Sequence, residues 1–223
     1  MSLILNIDTA LDTASVCLSE DGNVLQLSSS ENQKDHASWL HTAIAELLQK
    51  SGYVIKNLNA VAVSIGPGSY TGLRVGLAAA KGFCYALHIP LITVNSLKII
   101  AFAVKDEAID IICPLIDARR IEVFTAMYDK ELGEKIPPHA MLVDEKSFAS
   151  FLLQGKVLFC GNGVKKLRPL LSNSNAFFSN TMADASHLAR LSLNCYNTKE
   201  FADLAYAEPL YIKEFYSPAA GTD

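Results

Sequence analysis

One order of strands and helices occurs twice along this chain, offset by about 108 residues, and that repetition constrains the fold more than any single motif. In the first pass, Ser2–Asp8 reads as a buried strand and Ala14–Glu20 as a second, with Asp21-Gly22 turning the chain into a third, Val24–Ser30. Trp39, Leu40, Ala43, Ile44, Leu47 and Leu48 fall at helical spacing, and Gly52 stops that helix. Ala60–Ile65 is an apolar strand that runs into a glycine-rich loop, Gly66–Gly72. A helix over Leu73–Leu87, a strand at Leu91–Val94 and a helix over Ser96–Lys105 complete the unit.

The second pass repeats that order. Ile111–Asp117 and Glu122–Tyr128 read as strands, followed by a proline-interrupted third strand ending near Val143. Asp144 is placed to cap a helix running through Leu153. Lys156–Cys160 then gives a strand, Gly161-Asn162-Gly163 a loop, Val164–Leu171 a helix, Ala176–Ser179 a strand and Asp184–Tyr196 a last helix. Asp8 and Asp117 each end a first strand, while Gly66-Pro67-Gly68 and Gly161-Asn162-Gly163 each end a fourth. The reading is an α/β fold of two βββαβαβα halves, residues 1–107 and 108–223, facing each other around a cleft. Ligands of open α/β sheets bind at strand carboxyl ends, which is where both aspartates and both glycine turns fall.

Composition narrows the function classes. Half of the 223 residues are apolar and 19% are charged, enough to bury a large core and too apolar for extensive disorder. No apolar run approaches the roughly 20 residues needed to span a bilayer, and no basic, cleavable leader precedes the first strand. The five cysteines form no C-x-x-C pair and sit in apolar segments, as reduced thiols of a cytoplasmic protein do. A net charge of −4 gives no overall pull toward a phosphate backbone.

The loop Gly66–Gly72 has glycines where backbone N–H groups could turn toward a phosphate. It is neither a P-loop, since Leu73 stands where lysine is required, nor G-x-G-x-x-G, since Thr71 takes the third glycine's place. A tight strand-to-helix turn capped by Ser69 or Thr71 is the plainer reading. On the following helix, Gly72, Gly76 and Ala80 recur at i, i+4, i+8, with Leu73 and Leu77 beside them. That stripe admits either a partner's helix or the chain's own sheet. His36 and His41 are five apart, about 140° around a helix, so one face cannot present both to a metal ion. Arg119-Arg120 and Lys165-Lys166 read as solvated basic pairs. Asp8, Asp12 and Asp117 are candidates for holding Mg²⁺–nucleotide, against the plainer alternative of strand-end turns.

Asp8-Thr9-Ala10 with Ala14-Ser15-Val16 resembles the first phosphate loop of the actin, sugar-kinase and Hsp70 superfamily. Gly66-Pro67-Gly68-Ser69-Tyr70-Thr71-Gly72-Leu73-Arg74-Val75-Gly76, Asp117-Ala118-Arg119 with Glu122-Val123-Phe124, and Ala207-Glu208-Pro209-Leu210-Tyr211-Ile212-Lys213 are together similar to the bacterial TsaB (YeaZ) family, in that family's order and over nearly the whole chain. The resemblance implies a duplicated actin-like (ribonuclease H-like) fold. It also implies a non-catalytic subunit that binds and activates a TsaD-type transferase and works with a TsaE-type ATPase in making threonylcarbamoyladenosine in tRNA. Several expectations follow for this chain. It meets tRNA only through the complex, and a homodimer is the alternative when the partner is absent. The partner surface is Gly72, Leu73, Gly76, Leu77 and Ala80. The nucleotide cleft is Asp8, Thr9, Gly66, Gly68 and Asp117, with no cofactor required by the subunit alone and ATP or ADP with Mg²⁺ expected only in the complex. Two alternatives remain at this point: an ATP-dependent small-molecule kinase of the same superfamily, and a glycoprotease-like metallopeptidase, for which Leu40 interrupts the metal pair.

Overall fold

In the computed structural model, which describes residues 1–31 and 36–213, the repeated element order appears as two five-stranded mixed sheets. The first sheet holds β1 (Leu3–Asp8), β2 (Ala14–Glu20), β3 (Asn23–Ser30), β4 (Ala60–Ser64) and β5 (Leu91–Val94), in the order β3-β2-β1-β4-β5. Its helices are α1 (His36–Ser51), α2 (Tyr70–Leu87) and α3 (Ser96–Ala103). The second sheet holds β6 (Ile111–Asp117), β7 (Glu122–Asp129), β8 (Glu134–Leu142), β9 (Val157–Cys160) and β10 (Ala176–Phe178), with α4 (Ala149–Gln154), α5 (Val164–Leu167) and α6 (Ala185–Thr198). Read from β8, its order β8-β7-β6-β9-β10 reproduces that of the first sheet. In both, the hairpin strands pair antiparallel and the later strands parallel.

Side-chain alternation gives each sheet two buried faces. Leu3, Leu5 and Ile7 of β1 pack with Leu40, Ile44 and Leu47 of α1 and Leu77 and Ala80 of α2. The intervening Ile4 packs with Leu188 of α6 and Ile99 of α3, and Cys17 of β2 meets Ala185 and Ala189. In the second sheet, Cys113, Leu115 and Phe159 pack with Phe148, Leu152 and Leu167 on the outer side. On its inner side, Ile112, Ile116, Tyr128, Leu158 and Cys160 pack with Leu97, Ile100 and Ala101 of α3 and with Val104 just after it. The last helices are thus exchanged: α3 covers the second sheet and α6 covers the first, and the two touch in a central layer. No helix among the described residues is long and apolar enough to cross a membrane.

A buried polar network fixes α6. Asn6 Nδ2 donates to Ile4 O at 3.1 Å and to Ser19 Oγ at 3.0 Å, while its Oδ1 accepts from Ser192 Oγ at 2.6 Å. Such a group is unfavourable in the interior unless fully bonded, so the network favours one seat for the helix. At the helix start, Asp184 caps by accepting from Ser186 N at 2.9 Å, and Ala185 N donates to Ser15 Oγ of β2 at 2.9 Å.

Several elements depart from the sequence reading, among them α2, which begins at Tyr70 rather than at Leu73. The helix expected from Asp144 begins only at Ala149, because Asp144 accepts from Lys146 N and from Ser147 Oγ at 2.9 Å and closes a local turn instead. The helix expected to reach Leu171 ends at Leu167, and the one expected to reach Lys105 ends at Ala103. The His36 side chain, weighed above as a metal ligand, lies outside the described residues.

Replacing Asp184 with alanine is expected to lower stability by about 1–2 kcal/mol at neutral pH, as loss of a side-chain cap does. Burial works to raise this carboxyl's pKa, but hydrogen bonds from His187 and Ser186 outweigh it and hold the value at about 2. A folded-state value below the unfolded 3.8 gives stability that is complete above 3.8 and is lost as pH falls toward about 2. Denaturant titrations of parent and variant should show their difference shrinking as the pH is lowered through that range. A constant difference would mean the charge plays no part in the cap.

Candidate functional site

The carboxyl end of β1 is pressed onto the start of α2. Ala10 O accepts from Ser69 N at 2.7 Å, and Thr9 Oγ1 donates to Gly72 O at 2.7 Å. A Cβ on Gly68 would lie 2.2 Å from Ala10 O, on Gly72 2.1 Å from Thr9 O, and on Gly76 2.3 Å from Thr9 Oγ1. No side chain fits such gaps, so this approach requires glycine at all three positions. Ser69 caps α2 by accepting from Gly72 N, as the turn reading expects. Gly66, at φ +114, exchanges hydrogen bonds with Ser96: its N–H donates to Ser96 Oγ at 3.1 Å and its carbonyl accepts from Ser96 N at 2.8 Å.

The expected nucleotide residues therefore divide. Gly68 and Asp117 line a cleft of about 830 Å³, together with Asp12. Asp8, Thr9 and Gly66 lie behind its wall, each buried. The Asp8 carboxylate turns inward, accepting from Ser64 Oγ at 2.6 Å and from Ala10 N at 3.1 Å on one oxygen. Burial pushes its pKa up, with those two hydrogen bonds pulling the other way. Asp117 accepts from Lys166 Nζ at 2.6 Å and from Arg119 N at 2.7 Å, and its own N–H donates to Asn162 Oδ1 at 2.9 Å. Burial tends to raise the Asp117 pKa, but Lys166 and the Arg119 amide together hold it below the ordinary value.

These residues do not fit Mg²⁺–nucleotide in the chain by itself. Asp8 is sealed in the core, and Asp117 already carries an ammonium where a cation would have to sit. That leaves only Asp12 of the three candidate aspartates, exposed in the cleft lining. The loop's Gly66, Ser69 and Gly72 N–H groups are engaged within the chain. Among the described residues, no group of three or more His, Cys, Asp or Glu side chains is placed to hold a metal ion.

The third wall of the cleft is the segment after α6, a role that spacing in the sequence did not suggest. Leu210 N donates to Ile65 O at 2.7 Å, and Tyr211, Ile212 and Lys213 continue along the cleft. Arg74 Nε donates to Tyr211 Oη at 2.8 Å while its guanidinium lies 3.9 Å over the Tyr70 ring. Lys166 was likewise missed: rather than a solvated lysine, it joins Asp117 to the carbonyl of Glu122, 2.8 Å from its Nζ.

The partner stripe is the clearest correction. Gly72, Leu73, Gly76, Leu77 and Ala80 are buried, and Gly76 and Leu77 pack toward Ile7 and Val63 of the chain's own sheet. They are not available to another molecule. The opposite face of α2 carries Arg74, Ala78, Gly82 and Tyr85, all exposed, Tyr85 at 75%. A Cβ on Gly82 would meet nothing within 4 Å among the described residues. His41 of α1 packs edge-on to Phe83, with ring centres 5.9 Å apart, so the two helices form one outer layer.

Asp8→Asn tests the inward-turned carboxylate. Its raised folded-state pKa means that ionisation opposes folding, increasingly as pH rises from the unfolded value of 3.8 through the folded one. Asparagine keeps the acceptor for Ser64 and Ala10 without the charge. The variant should melt no lower than the parent at neutral pH, and its advantage should grow on going from about pH 4 to about pH 7. An equal loss of melting temperature at both pH values would sink this account of Asp8.

Comparison with known proteins adds the following. A family model described as TsaD, tRNA N6-adenosine threonylcarbamoyltransferase, matches residues 28–208. The tRNA threonylcarbamoyladenosine biosynthesis protein TsaB of Bacillus subtilis (strain 168) is 34% identical over 146 residues, 63% of this chain and 63% of that protein. Its namesake in Escherichia coli (strain K12) is 33% identical over 132 residues, 57% of this chain and 55% of that protein. The matches thus span less than two thirds of the length of these curated relatives. The solved structure of YeaZ from Pseudomonas aeruginosa has the same two-half fold, with a TM-score of 0.79 and 24% identity over 95% of this chain and 100% of that one.

Proposed function

Since the chain belongs to the TsaD family, among its TsaB (YeaZ) members, we propose that it is a non-catalytic partner subunit in the formation of threonylcarbamoyladenosine in tRNA. In this reading it works in the cytoplasm, binds a TsaD-type transferase subunit through the outer layer of α1 and α2, and cooperates with a TsaE-type ATPase. It meets tRNA only through that assembly, consistent with its net charge of −4. The cleft supports this reading over a kinase, because Asp8 and Asp117 serve the fold rather than an ion.

The observation that carries the proposal is Gly82. Glycine in a helix interior costs about 1 kcal/mol relative to alanine, through lost backbone freedom. At Gly72 and Gly76 the chain's own Thr9 requires it; at Gly82 no described atom of this chain does. A helix of a second protein lying along Ala78 and Gly82, with Tyr85 as an aromatic anchor at its edge, accounts for the bare surface.

Two substitutions on one helix separate this reading from its alternatives. Gly82→Leu should leave the melting temperature of the isolated chain unchanged or slightly higher. It should weaken binding of a TsaD-type subunit by roughly 5- to 150-fold, as overpacking of a close contact by ~1–3 kcal/mol implies. Gly76→Leu should instead destabilise the chain itself. Isothermal titration of both variants against the transferase subunit decides: unimpaired binding by Gly82→Leu removes α2 as the partner surface.

A further inference from the structure

Two basic pairs far apart in the sequence, Arg119-Arg120 and Lys165-Lys166, come together along one side of the cleft. The first pair sits in the turn between β6 and β7, where Ala118 N donates to Glu122 O at 3.1 Å and Glu122 N to Arg119 O at 3.1 Å. The second pair opens α5, and three contacts press that region onto the turn. Lys166 Nζ donates to Asp117 at 2.6 Å and to Glu122 O at 2.8 Å, and Asn162 Oδ1 accepts from Asp117 N at 2.9 Å. Lys166 is thereby matched to Asp117, as Lys213 is to Glu122. Arg119, Arg120 and Lys165 are exposed and make no ion pair among the described residues. The one other carboxylate in the lining is Asp12. A chain of net charge −4 thus carries a local positive excess here, three cations against one carboxylate.

The wall that includes residues 210–213 is aromatic instead. Tyr70 and Tyr211 stand with ring centroids 5.1 Å apart, and Tyr211 is 40% exposed. Leu11, Ile116 and Phe124 add apolar lining. We infer that the cleft binds a single-stranded segment of RNA, its phosphates on Arg119, Arg120 and Lys165 and a base stacked on Tyr211. Grooves that take single strands combine the same two parts, a cationic track for the backbone and aromatic faces for the bases. Guanidinium and ammonium groups donate directly to phosphate oxygens, so this contact needs no metal ion and does not call on Asp8 or Asp117. A small free anion fits less well. The cleft is open, with Asp12, Thr71 and Lys165 exposed along it, and Arg120 continues the positive charge beyond the lining. RNA is favoured over other polyanions by the chain's proposed place in tRNA modification, on which this inference rests. With so few cations the contact is weak in the chain alone, and it gains its use inside the assembly.

The full chain, without partners, is titrated with a short fluorescein-labelled oligouridylate at low ionic strength. Anisotropy should report weak binding that falls as salt is raised. Arg119→Gln with Lys165→Gln should weaken it at least about tenfold and flatten the fall of log K with log salt by about 1.4, the share of two phosphate contacts on a single strand. Lys56→Gln with Lys146→Gln changes the net charge equally at exposed sites off the cleft, and should alter neither quantity. Tyr211→Ala should weaken oligouridylate binding at least about fivefold with the salt dependence unaltered, and Tyr211→Phe, which keeps the ring, should not. Inorganic polyphosphate, which has no bases, should bind the parent and Tyr211→Ala alike. Four results would overturn the inference. The parent does not bind, or the control pair weakens binding as much as the cleft pair. Tyr211→Ala leaves oligouridylate binding unchanged, or sodium phosphate displaces the oligonucleotide better than sodium chloride at equal ionic strength, which marks a free-phosphate site. Binding of the transferase subunit through α1 and α2 is a separate titration, so failure of the partner reading and failure of this one are told apart.

Discussion

The contact between the Thr9-Ala10 turn and the start of α2 is the constraint from which the arrangement of the site follows. Backbone oxygens of Thr9 and Ala10 and the Thr9 hydroxyl occupy the space where side chains of residues 68, 72 and 76 would project. With α2 brought that close, the loop before it has to turn sharply, its N–H groups find partners inside the chain, and Asp8 is left facing Ser64 rather than solvent. The second half repeats the device in reduced form. A Cβ on Gly161 would lie 2.5 Å from Leu115 O, and Gly163 N donates to that same oxygen at 2.9 Å. The glycine turns at both strand ends are thus packing devices, shared by two halves that otherwise differ. The helix after the second turn is four residues long, against eighteen after the first.

A fold of this class places acidic groups at strand ends, and what they do there depends on their neighbours rather than on the fold. Here Ser64 and the Ala10 amide hold one aspartate in the interior, and Lys166 neutralises the other. Lys166 also ties β6 to β7 through the Glu122 carbonyl, so one ammonium both settles the charge at the cleft and braces the hairpin beneath it. Both strand-end carboxylates are thus held by contacts within the chain.

Much of this was legible beforehand, for reasons specific to each element. β2, β5 and β6 begin and end where apolar runs and turn residues put them, because both faces of each sheet are buried and nearly every position within these strands is interior. The small-residue stripe on α2 was equally visible, but its direction was not. Periodicity says which residues share a face and is silent about which face is inside; α2 carries small residues on both, Gly72-Gly76-Ala80 inward and Ala78-Gly82 outward. Lys166 and Asp117 stand 49 residues apart, and nothing local to either marks the pairing. The cleft's third wall, at 210–213, follows no period at all and is held by single contacts to distant residues. At Asp144 two local preferences competed, and a side-chain turn won over a helix cap.

The exchange of last helices has a consequence for biosynthesis. The first sheet has all its strands once Val94 is made, but the helix that covers its inner face runs from Ala185 to Thr198, about 100 residues later. At 5–20 residues per second, translation leaves that face uncovered for roughly 5–20 s. Ile4, Cys17, Ala60, Ala62 and Ile92, all buried in the finished protein, form a naked apolar surface on the ribosome during that interval. The first half therefore cannot complete its inner face until the last helix is made, and the delayed arrival of that single helix, rather than any weakness of the sheet, sets the limit.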